Sequence, residues 1–76
     1  MNNDRRARIK DLIGQLEGFK NEAEDILSEE QDYYDNIPEN LQMSVRAETA
    51  EAAISNLEDA ISAMDDAISS LEGAGV

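Results

Sequence analysis

Seventy-six residues make one small domain, 1–76, of a size at which a single chain hides only about 60% of its unfolded surface and often recruits a partner. Eighteen acidic residues against six basic ones give a net charge of −12, while cysteine, histidine and tryptophan are absent. No disulfide, thiolate or imidazole chemistry and no Cys- or His-based metal site is open to such a chain, so we expect no enzyme, no cofactor and no metal.

The first element is a helix over 4–34, capped by Asn2 or Asn3. Its apolar spacing runs Ile9, Leu12, Leu16, Phe19, Ala23, Ile26 and on to Tyr33 and Ile37, with Ile13, Leu27 and Tyr34 forming a further column one step over. A stripe that broad faces more than one neighbour. Glu30 interrupts the stripe at a heptad a position. Four of the six basic residues (Arg5, Arg6, Arg8, Lys10) fall in the first ten positions, so the chain from residue 11 onward carries a charge of −15. A surface of that sign repels nucleic acid and anionic membranes, and if it attracts anything electrostatically the partner is basic.

The second element is a structured turn over 35–44. Pro38 cannot continue the helix and pushes Ile37 out of helical conformation; Asp35 and Asn36 are turn formers, and Pro38 can open a short helical turn through Gln42. Ile37, Leu41 and Met43 are available to plug the open end of the fold. A calcium reading of Asp32, Asp35, Asn36 and Glu39 fails, since an EF-hand loop needs ligands at alternate positions and a glycine at the sixth.

The third element is a helix over 45–72, capped by Ser44 and stopped at Gly73, with 73–76 as a flexible tail. From Ala53 it repeats every seven residues: AISNLED, AISAMDD, AISSLEG. Ile54, Ile61 and Ile68 take position a and Leu57, Met64 and Leu71 position d; alanines 53, 60 and 67 take g, and Glu51, Glu58, Asp65 and Glu72 take e. Adjacent carboxylates such as Glu58-Asp59 and Asp65-Asp66 diverge by about 100° around a helix and do not converge on a proton or a metal.

Two helices of near-equal length joined by a short connection predict an all-α antiparallel helical hairpin, coiled-coil-like, dimerising into a four-helix bundle. Its core or dimer seam comprises Leu16, Phe19, Ile26, Ile54, Leu57, Ile61, Met64, Ile68 and Leu71. Isoleucine at a with leucine at d is also compatible with a parallel two-stranded coil between chains. The hairpin sets the basic cluster beside Asp65, Asp66 and Glu72 at the negative end of the second helix. Pro38, Ser44 and Arg46 define the corner, where Arg46 is placed to tie Glu30 or Asp35.

Glu29-Glu30-Gln31, the Tyr33-Tyr34 pair, Asp35-Asn36-Ile37-Pro38-Glu39, Leu41-Gln42, Ser44, Arg46 and Glu48 resemble a signature of small, acidic, helical, uncharacterised proteins of bacteriophages and prophages. The resemblance covers about residues 5–72 and implies a viral setting in the cytoplasm of a bacterial host; it supplies no catalytic residue. The longest apolar runs are two or three residues, and the N-terminus has no apolar core of a secretory signal, which fits that setting.

The expected function is a non-enzymatic acidic protein-binding module. It would occupy a basic groove of a host nucleic-acid-handling or defence protein, mimicking DNA, with Tyr33, Tyr34, Glu58, Asp59, Asp65 and Asp66 as partner-binding candidates. A hairpin with a charge of −15 carries one excess negative charge per roughly 3 Å, against about 1.7 Å of axis per charge in duplex DNA, and two hairpins side by side close that gap. The alternative is a structural module that self-associates through its apolar seam. In either case we expect a homodimer.

Overall fold

The computed structural model describes all 76 residues and contains α1 (Asn3–Asp35), a 3-10 turn (Glu39–Leu41) and α2 (Val45–Ala74). Each helix begins on the side chain that its first turn requires. The Asn2 Oδ1 accepts from the Arg5 N–H at 2.8 Å, and the Ser44 Oγ from the Ala47 N–H at 3.4 Å, so each satisfies one of the donors that a helix start leaves unpaired. α1 ends at Asn36, whose N–H bonds back to the Asp32 and Tyr33 carbonyls and whose side-chain amide also donates to the Asp32 carbonyl at 2.7 Å. Pro38, at φ −57° and ψ 146°, then turns the chain, and the 3-10 turn delivers it to Ser44 with no residue at positive φ.

α2 runs past Gly73 and ends on Gly75, about half a turn beyond the expected stop. The carbonyls of Leu71 and Glu72 find the Gly75 N–H, so the helix has hydrogen-bonding reason to continue through a glycine that open space surrounds.

The helices lie antiparallel in a rod of 59 × 15 × 12 Å. Three contacts set the register: Ile9 against Gly75, Lys20 against Asp65 and Tyr34 against Glu51. That register brings large side chains level with small ones. Ile37 and Tyr34 stand level with Ala47 and Ala50, and Ala23 stands level with Ile61; Ala23, Ile37, Ala47, Ala50 and Ile68 are the five buried residues of the chain. Two helices cannot enclose a core, so the remaining seam side chains, Ile9, Ile13, Leu16 and Leu27 on α1 and Ile54, Leu57, Ile61, Met64 and Leu71 on α2, are half-buried. Neither helix is long and apolar enough to cross a membrane.

Of the seam positions expected from the sequence, those on α2 and Leu16 are half-buried or buried, whereas Phe19 and Ile26 are exposed. They are 57% and 52% exposed, in line with Leu12 at 48% and Tyr33 at 45%. α1 turns its a column and the neighbouring e column (Ile13, Lys20, Leu27, Tyr34) towards α2, and one partner helix covers only part of so broad an arc. At the corner, Ile37 plugs the end of the hairpin as expected. Leu41 and Met43 do not, Met43 being 92% exposed, because the 3-10 turn carries them past the end of the seam.

Candidate interaction surface

The two polar contacts that cross between the helices both join e positions. The Lys20 Nζ donates to the Asp65 Oδ1 at 2.7 Å and lies 3.8 Å from the Glu24 carboxylate, while the Tyr34 hydroxyl donates to the Glu51 Oε1 at 2.6 Å. The hydrogen bond to Asp65 raises the Lys20 pKa, against the opposing effect of desolvation. The hydrogen bond to Glu51, followed by desolvation, raises that of Tyr34. Lys20 stands at an apolar column's position with a carboxylate on the facing e column, a signal present in the sequence spacing itself.

These e-to-e contacts define one flank of the rod. Since the helices run in opposite directions, the other flank must carry the d column of α1 (Leu12, Phe19, Ile26, Tyr33) beside the g column of α2 (Ala53, Ala60, Ala67). The two flanks differ in kind. The first holds Glu17, Glu24, Glu51, Glu58, Asp65 and Glu72, with Lys20 in its middle and Arg6 and Lys10 at one end; the second is an apolar stripe spanning 22 residues of α1, about 32 Å.

The partner-binding candidates from the sequence divide accordingly. Glu58, Asp59, Asp65 and Asp66 are all exposed, with Asp65 taken up by Lys20. The tyrosine pair separates: Tyr34 is spent inside the hairpin on Glu51, and Tyr33 belongs to the apolar stripe.

Two expected charge contacts do not form. Arg46 bonds neither Glu30 nor Asp35, and none of Arg5, Arg6, Arg8 and Lys10 forms an ion pair, Lys20 being the sole cation in one. Arg6 and Lys10 do line a cleft with Leu71, Glu72 and Gly75, so the cluster sits near the C-terminal end of α2 as expected, but long exposed side chains gain little from being held in one geometry. Met1, Arg5, Arg8, Ile9 and Leu12 line a shallow hollow of about 210 Å³ at the N-terminal end of the apolar stripe.

No known protein family, no curated protein and no solved structure matches this chain.

Proposed function

We propose that the chain is a non-enzymatic acidic protein-binding module, with hairpins paired through the apolar flank into a four-helix bundle and the acidic flanks left outward to meet a basic groove on another protein. The observation that carries this is the segregation of the two flanks. A chain whose charge served only to keep it soluble has no need to keep carboxylates off the d column of α1 and the g column of α2 while lining the opposite flank with six of them. Burying the stripe between copies leaves two acidic ridges along the outside of a bundle whose total charge, twice −12 over 59 Å, is one per about 2.5 Å, against about 1.7 Å of axis per charge in duplex DNA.

In this reading the target is a host protein that handles or defends against nucleic acid. The resemblance of residues 29–48 to phage and prophage proteins supports that setting and a bacterial cytoplasmic location. A capture experiment from bacterial lysate tests it, run at ~50 and ~500 mM salt with duplex DNA as competitor. A captured basic protein should leave at high salt and be displaced by DNA; recovery of self-copies alone, unmoved by salt or DNA, overturns the mimicry.

That last outcome would favour the second reading, a structural module whose charge is incidental. The apolar stripe is the observation on its side, since seam-driven association needs no basic partner.

A further inference from the structure

We propose that two hairpins pair antiparallel through α1, each seating its Tyr33 in the hollow at the N-terminal end of the other's α1. The arginines of that hollow then stand against the partner's acidic corner. This rests on the pairing of copies proposed above and gives it a direction, a register and a role for the basic cluster.

The register follows from the stripe. Leu12, Phe19, Ile26 and Tyr33 are evenly spaced by seven, so two copies crossing about the midpoint between Phe19 and Ile26 bring the whole stripe into use. Phe19 then meets Ile26, and Leu12 meets Tyr33. Leu12 lines the hollow with Met1, Arg5, Arg8 and Ile9, so the arriving tyrosine finds apolar walls for its ring and two guanidinium groups beside it. Across the same two-fold, the alanine column of α2 runs against the copy's alanine column, and side chains this small let the two α2 helices approach closely. A flank of this 59 Å rod offers about the 800 Å² per partner of an ordinary stable interface.

Charge selects the direction. The corner end holds Glu29, Glu30, Asp32, Asp35 and Glu39 with Arg46 as its one cation, whereas the opposite end holds Arg5, Arg6, Arg8 and Lys10 against Asp4, Asp11 and Glu72, with none of the four cations in an ion pair within the hairpin. Placing both corners at one end of the bundle would set acid against acid and arginine against arginine. The antiparallel crossing sets each basic end against an acidic corner. Arg5, seven residues before Leu12 on the d column, and Arg8, on the adjoining g column, lie on the docking face itself.

The chain has no cysteine, so single introduced thiols report neighbours without background. The wild-type chain should sediment as a dimer at about 100 μM. On oxidation, a mixture of Leu12→Cys and Tyr33→Cys chains should give the mixed disulfide, while either variant alone stays uncrosslinked. Phe19→Cys mixed with Ile26→Cys is the second pair should circular dichroism show that the first has lost helix. Arg5→Glu with Arg8→Glu should weaken the dimer at least about tenfold with helicity retained. A wild-type monomer overturns the pairing and its direction together. A dimer in which Leu12→Cys links to itself, or Phe19→Cys links to Ala67→Cys, leaves the pairing standing and overturns the direction alone, and so does a charge-reversed variant that dimerises as tightly as the wild type.

Discussion

Tyr34 and Tyr33 are neighbours in sequence with opposite fates, and the difference is one helical step of about 100°. Tyr34 falls on the e column and reaches Glu51, and that bond raises its pKa above the ordinary tyrosine value near 10. A proton donor whose folded pKa is raised stabilises the fold fully below its unfolded pKa, and the contribution disappears as pH climbs through the folded value. The contact is therefore whole at neutral pH and lost only in strong alkali. In a Tyr33→Phe background, ultraviolet titration should find the remaining tyrosine ionising above the usual range, and Glu51→Gln should bring it back down; an unmoved titration would remove Glu51 as the cause. The Ser44 cap is a second residue-scale test. Its bond to the Ala47 N–H is long at 3.4 Å, so Ser44→Ala should cost towards the low end of the usual range, about 0.5–1 kcal/mol, and lower the melting temperature by a few degrees.

At the scale of the helix, glycine marks where α1 can be improved. Gly14 and Gly18 sit in mid-helix on its outer face, and a Cβ at either would meet nothing within 4 Å. Gly14→Ala should add about 0.5–1 kcal/mol and raise the melting temperature by several degrees. A drop in melting temperature would mean that the glycine lies against something this hairpin does not contain. The helices also show how far a sequence can be read. α2 was legible because its apolar arc is narrow: a strict seven-residue repeat with alanine on one side and carboxylates on the other leaves one face to bury. α1 was legible as a helix but not as a face, because its a, d and e columns are all apolar and only the fit to α2 decides which two turn inward. The caps and the Pro38 corner were readable from local chemistry. Arg46 and the N-terminal cluster were not, since the pairing of long solvated side chains depends on small energies that spacing does not encode.

For the whole molecule, charge and apolar surface pull against each other. A net charge of −12 with two ion pairs, both on Lys20, leaves repulsion dominant, so salt should stabilise this fold: melting at ~500 mM salt should exceed that at ~50 mM, and the reverse would show that attractive pairs outweigh repulsion. The apolar stripe bears on a separate question, because the pairing proposed through it makes the melting temperature depend on chain concentration. Ile26 and Leu57 separate the two contributions. Leu57 is half-buried in the seam, so Leu57→Ser should remove about 2 kcal/mol or more at every concentration. Ile26 is 52% exposed within the hairpin, so Ile26→Ser should leave the dilute-limit melting temperature of the wild type nearly unchanged and abolish its rise with concentration. Melting curves at about 5 and 500 μM decide the matter, spanning the range over which mass action shifts a micromolar dimer. If Ile26→Ser falls in parallel with Leu57→Ser at both concentrations, the stripe belongs to the hairpin's own stability and the bundle loses its principal support.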